Sequence, residues 1–158
     1  MLMGGRHMTW QEFAKQDPEL AALGQERLNL HRLVMLATLR KNGFPRISPV
    51  EPLFFSGQLY LGMMWQSQKA LDLLRDPRCC IHSPVSDRMA SEGEYKVYGR
   101  ASDITNPEER QDYLKALFQK IGGQPIGHEF HCFAIDIESA AANILVGEEF
   151  QHQVWKAR

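Results

Sequence analysis

The stretch from Leu33 to Lys69 constrains the fold more than any other part of the chain. It reads as three or four short strands separated by turn chemistry, and it runs directly into a helix start. Leu33–Leu39 is apolar and partly β-branched, and Lys41-Asn42-Gly43 supplies a hairpin turn. Phe44–Val50 alternates, and Pro45 and Pro49 mark it as an edge or bulged strand, because proline cannot donate to a ladder. Leu53–Phe55, the Ser56-Gly57 turn and Leu59–Met64 predict a second hairpin. Ser67 then stands at the N-cap of a helix over Gln68–Arg75, with Ala70, Leu71, Leu73 and Leu74 as its apolar positions and Asp76-Pro77 as its stop. Such a chain delivers Arg46, Ser48, Ser67 and Lys69 toward one helix N-terminus. Two cations, two hydroxyls and free helix amides are what a bound phosphate needs.

The remainder predicts more strands with a few helices. Thr9 and Glu12 form a capping box, with Met8 and Phe13 placed as its hydrophobic staple, and a short helix follows from Trp10 to about Lys15. Asp17-Pro18 caps a second helix, Glu19–Leu23, with Gly24 as its end. These helices are expected across an opening of a barrel. Cys79–His82 reads as a short buried strand, Pro84–Gly93 as a polar loop, and Glu94–Ile104 as a strand whose Gly99 marks a bulge. Asn106-Pro107-Glu108-Glu109 opens a helix that should turn Tyr113, Leu114, Leu117, Phe118 and Ile121 inward. Phe130–Ile137, Asn143–Val146 and Phe150–Trp155 complete six to eight strands, the count of a closed or nearly closed antiparallel barrel.

Charge excludes some functions. The 18 basic and 19 acidic residues are interspersed and leave a formal charge of −1, so no basic stripe addresses nucleic acid. No apolar run reaches the ~20 residues of a membrane span, and the first residues lack the apolar stretch of a secretory leader. Residues 1–8 read as a tag, an upstream start or a disordered end, and 9–158 as a single domain. Cys79, Cys80 and Cys132 are odd in number, two of them adjacent, which suits small core hydrophobes in a reducing cytoplasm.

Several site chemistries can be weighed. Lys69 in a first helical turn opposes the helix dipole and is easiest to explain opposite an anion; the plainer alternative is a simple cap beside a solvated charge. His128, Glu129, His131 and Cys132 crowd together, but alternate strand positions face apart and the spacing fits no metal site, so none is expected. Neither a Gly-x-Ser-x-Gly elbow nor a Gly-x-Gly-x-x-Gly turn is present. Met63-Met64-Trp65 fits either core or an exposed rim.

The chain resembles the pyridoxamine 5′-phosphate oxidase-like family of flavin and deazaflavin split β-barrels. The likeness covers about residues 30–104. It rests on Leu36-Ala-Thr-Leu-Arg-Lys-Asn-Gly-Phe-Pro-Arg46-Ile-Ser-Pro, on Ser67-Gln-Lys69 followed by Leu73-Leu-Arg-Asp-Pro-Arg78, and on Val97-Tyr-Gly-Arg-Ala101. The resemblance implies a mostly β fold with accessory helices: a six-stranded antiparallel split β-barrel, homodimeric, with FMN in a groove between subunits. By position, Arg46 and Lys69 would hold the phosphate with Ser67 and Gln68. Ile47, Ser48 and Pro49 would line the ring, Met63 and Met64 would stand at the cofactor-contacting strand end, and Glu94 would reach the flavin from the partner chain. No side chain is implied as an obligatory acid or base. The chain ends at Val154-Trp-Lys-Ala-Arg158 without the arginine- and histidine-bearing segment that recognises pyridoxal phosphate in the name-giving oxidase, so another small organic substrate is expected. Its pocket would be built from Pro84–Gly93, the N-terminal helices and the partner subunit. A deazaflavin coenzyme would use the same residues. A non-catalytic flavin or haem binder is a further alternative, haem requiring His82, His128 or His131 as ligand.

Overall fold

A computed structural model describes residues 7–123, 127 and 129–158. Among them, the helices α1 (Trp10–Gln16), α2 (Pro18–Asn29), α3 (Gln68–Arg75) and α4 (Pro107–Ile121) accompany eight strands. These are β1 (Val34–Leu39), β2 (Pro45–Val50), β3 (Pro52–Phe55), β4 (Gln58–Met64), β5 (Arg78–His82), β6 (Glu94–Asp103), β7 (Phe130–Val146) and β8 (Glu149–Lys156). All belong to one antiparallel sheet in the order β2-β1-β5-β6-β7-β4-β3, with β8 added on β7. Eight strands fall within the six to eight read from the sequence and exceed only the six that the resemblance implies. The sheet curls until β2 approaches β4, but the two do not pair, so it is not closed by hydrogen bonds. As the prolines require, β2 lies at an edge.

Alternation along the strands fills two clusters. The larger lies between the sheet and the N-terminal helices and holds Phe13, Leu20, Leu28, Tyr95, Phe133, Ile135 and Ile137. Aromatic contacts lock α1 there, with Trp10 edge-on to Phe13 at 5.2 Å and to Phe54 at 4.8 Å. The capping box forms as expected, and Met8 already belongs to the core, its N–H donating to Asp136 Oδ1 at 2.6 Å. Residues 1–6, included in the expected tag, lie outside the described part. The smaller cluster sits under α4 and gathers Leu53, Tyr60, Tyr113 and Cys132. Cys79 and Cys132 are buried free thiols, and burial pushes both up to about 12.

Three expectations are corrected. Helix α2 does not end at Gly24 but runs on to Asn29. Gly24 is there for close packing, since a Cβ would fall 2.3 Å from the Tyr95 ring, whose hydroxyl donates to the Leu20 carbonyl. The two strands expected in 130–146 are one, because the irregularity between them is absorbed as a bulge. Tyr98 pairs with Ser139 and Gly99 with Ile137, leaving Glu138 as the extra residue. Gly99 permits this approach, its missing Cβ lying 2.1 Å from the Asp136 carbonyl oxygen. On α4 only Tyr113 is buried, with Leu114 and Leu117 partly so, while Phe118 and Ile121, expected inside, are exposed.

Candidate phosphate-binding cradle

At the start of α3 the local hydrogen bonding is incomplete. Ser67 has the extended backbone of an N-cap (φ −62°, ψ 146°), but its side chain makes no capping bond. Its Oγ is buried and, among the described residues, has no partner. The hydroxyl is therefore not the cap that the sequence suggests. The amides of Gln68, Lys69 and Ala70 precede the first intrahelical bond, which Leu71 donates to the Ser67 carbonyl at 3.0 Å. No acid stands in the first turn to answer the dipole.

Two cations join this helix to the edge strand. Arg46 and Ser48 lie on the inward side of β2, whereas Ile47 and Pro49 face outward and Ile47 is exposed. Arg46 donates through Nε to Asp72 Oδ2 at 2.7 Å. Lys69 reaches back from α3 to the Pro49 carbonyl at 3.2 Å. The β2 edge and the first turns of α3 are thus tied at two points, and Arg46 and Gln68 line one groove.

Asp72 is the organising residue that sequence reasoning missed. It is 3% exposed and accepts from Arg46, from Thr38 Oγ1 at 2.8 Å and from Arg75 Nη2 at 3.1 Å. Burial alone would raise its pKa, but the three donors outweigh it and hold the carboxyl below the ordinary range. Thr38 and Arg46 meet it together because they are register partners in the β1–β2 pair. The buried stripe of α3 is consequently Ala70, Asp72 and Leu73, and Leu74, expected inside, is exposed. A carboxylate among leucines was the available signal; its partners, 26 and 34 residues away, were not visible without the topology.

The other expected residues are distributed differently. Met63 points into the core, while Met64 is exposed in the turn that closes when Ser67 N–H donates to the Met64 carbonyl at 3.1 Å. Trp65 stacks on His131 at 4.5 Å, and Gln66 N–H donates to His131 Nε2 at 3.2 Å, so that nitrogen is an acceptor and the ring neutral. Burial lowers the His131 pKa accordingly. Glu94 is not near the cradle of its own protomer, lying three strands from β2. It accepts from Asn143 at 2.6 Å and Lys96 at 3.0 Å and approaches His82 at 3.4 Å. Together these donors hold its carboxyl below the usual range, Lys96 foremost. His128 lies outside the described residues. Among the described residues no cluster suits a metal, and no helix is long and apolar enough to cross a membrane.

Comparison with known proteins bears on this arrangement. A family model described as pyridoxamine 5′-phosphate oxidase matches residues 21–143. Among curated proteins, none matches the chain. Solved structures share the fold. A candidate pyridoxamine 5′-phosphate oxidase of Listeria innocua superposes with a TM-score of 0.63 at 15% identity, covering 80% of this chain and 97% of that one. A haem-binding protein of Mycobacterium smegmatis gives 0.63 at 17% identity, over 85% of this chain and 57% of that one. A haem storage protein of Vibrio cholerae gives 0.60 at 18% identity, over 77% and 89%. At these identities the likeness speaks for the fold alone.

Proposed function

Because the chain belongs to the pyridoxamine 5′-phosphate oxidase family, we propose that its cradle binds the phosphate of FMN and that the protein is a flavin-dependent oxidoreductase. The observation that carries this reading is the unpartnered, buried Ser67 hydroxyl at a helix start that has neither side-chain cap nor acid. A phosphate carrying about −1.5 to −2 charges would satisfy that hydroxyl and the free amides, and would relieve Lys69 of its unfavourable place in the dipole. Arg46 would hold the same group, its Nε fixed on Asp72 and its terminal nitrogens left for the ligand. Gln68 would add a polar contact. As an edge strand, β2 has one backbone edge that no neighbouring strand covers, and a flat ring would lie along it beside Ile47, Ser48 and Pro49, with the exposed Met64 beyond.

When bound, the isoalloxazine ring supplies hydride and electron transfer, and the protein's task is to bind, orient and exclude water. A small organic molecule is the proposed substrate. A deazaflavin would engage the same residues. The outer face of the sheet presents Met35, Ile47, Tyr98 and Val154, all at least partly exposed and aligned by register; covering it with a second copy would bring Glu94 of each chain to a shared groove. Haem is less well served. The Nε2 of His131 is occupied and its ring covered, and His82 is held by the Ser83 carbonyl at 2.5 Å and by Glu94.

Titration with FMN and riboflavin, followed by flavin fluorescence, tests the assignment. Each charge-assisted contact is worth ~1.5–3 kcal/mol, so Lys69→Ala and Arg46→Ala should each weaken FMN binding roughly ten- to a hundred-fold and leave riboflavin unchanged. Equal affinity for FMN and riboflavin in the unaltered protein would refute it.

A further inference from the structure

Strand β3 ends the sheet, and its free edge lies between two helices that pack on opposite faces. Successive side chains of a strand point to opposite sides. Phe54 accordingly joins the large cluster beneath α1 and α2, while Leu53 and Phe55 join the small one beneath α4. A groove of about 530 Å³ follows this edge and touches both faces, with Leu53, Phe54 and Phe55 as its apolar floor. Its charged lining is Arg32, Lys120 and Glu51, two cations against one carboxylate. None of these residues lines the groove at Arg46.

Lys120 enters the groove from the last turn of α4. Its ammonium donates to the Pro52 carbonyl and stands 3.8 Å from Glu51 Oε1, the outer limit of an ion pair, on a side chain that is only 25% exposed. Burial lowers its pKa from the ordinary lysine value; Glu51 opposes that shift and Arg32 adds to it. The charge is under-compensated where it stands. Arg32 approaches from the turn after α2 with a left-handed backbone (φ 61°), its N–H donating to the Asn29 carbonyl at 3.2 Å. Glycine adopts that conformation at no steric cost, so the backbone does not call for arginine here. A lysine that only tied α4 to β3 would need the Pro52 carbonyl and no second cation beside it.

We infer that the groove along β3 is a second ligand site, for a small monocarboxylate with an aromatic body. The carboxylate would lie between Lys120 and Arg32 and accept a charge-assisted bond from each. The ring would pack on Leu53, Phe54 and Phe55, where edge and offset contacts with phenyl rings favour an aromatic group over an alkyl one. One negative charge matches the single positive charge in excess, whereas a more highly charged anion would be repelled by Glu51. An apolar floor with a few placed polar groups is the usual make-up of a small-molecule pocket. This site is independent of the flavin reading.

The test titrates phenylacetate and its uncharged counterpart phenylacetamide into the full chain by calorimetry. Phenylacetate should bind with a Kd at or below about 1 mM, and phenylacetamide at least about tenfold more weakly. Lys120→Met, which keeps the apolar stem, and Arg32→Gly should each weaken phenylacetate roughly tenfold and leave the amide within about twofold. Arg32→Gly also relieves the left-handed backbone, so its urea midpoint should stay level or rise while affinity falls, which separates loss of the ligand from loss of the fold. No binding of phenylacetate, equal affinity for the acid and the amide, or unchanged phenylacetate affinity in either variant overturns the inference.

Discussion

Helices α3 and α4 begin in opposite ways. At α4, Asn106 Oδ1 accepts from Glu108 N–H at 2.9 Å and Glu109 N–H at 3.1 Å, Pro107 removes one orphan donor, and two acids answer the dipole. Everything the helix start requires is supplied by its own four residues. At α3 the cap hydroxyl is unused, the first turn carries a lysine instead of an acid, and the nearest carboxylate is turned toward arginines. A helix start that satisfies itself is structural. One left incomplete between Arg46 and Lys69 is where we propose that an anion binds.

The largest effect that could break this contrast comes from giving α3 the acid it lacks. Ser67→Asp should cut FMN affinity by more than about a hundredfold, ~3 kcal/mol, through repulsion of the phosphate, and leave riboflavin affinity intact; a parallel titration of both ligands decides it. Next comes Asp72→Ala, which strands two guanidiniums beside a buried gap. A loss of about 1–3 kcal/mol in urea unfolding is expected, together with weaker FMN binding as Arg46 loosens. A purely helical role for Asp72 would give the opposite sign, since alanine is the better helix former.

The two caps supply a smaller, sharper comparison. Asn106→Ala should cost about 1 kcal/mol in thermal or urea unfolding and leave FMN affinity alone. Ser67→Ala should change the stability of the unliganded protein by less than about 0.5 kcal/mol, because its hydroxyl has no bond to lose, yet it should weaken FMN. The smallest effect is in pH. His131 has a lowered pKa in the fold, so the unfolded chain binds the extra proton first and stability falls as pH drops below about 6.5. Asp72 is lowered too, and adds a second loss below about pH 4. Urea midpoints at pH 7, 5 and 3 should step down twice, with the upper step absent in His131→Phe.

Much of the fold was legible because local chemistry and tertiary structure agree. The capping box at Thr9, the edge character imposed by Pro45 and Pro49, the N-cap at Asn106 and the bulge at Gly99 are all present. Gly24 misled because a glycine inside a helix signals either an end or a tight contact, and only Tyr95 distinguishes the two. The 17-residue β7 was hidden because its bulge interrupts the period of two that identifies a strand. Within the cradle, the phosphate-compatible residues were readable as types at spacings. Asp72 was not, since its meaning depends on Thr38 and Arg46 arriving side by side from another hairpin.

The length of β7 has one further consequence. Its alternate residues Phe133, Ile135 and Ile137 face the large cluster, while Cys132 and Ala134 face the cluster beneath α4. One uninterrupted beam therefore forms a wall of both compartments, and neither can come apart without exposing the reverse side of the other. Heat should find no weaker half to melt first: the two compartments should be lost in a single cooperative step.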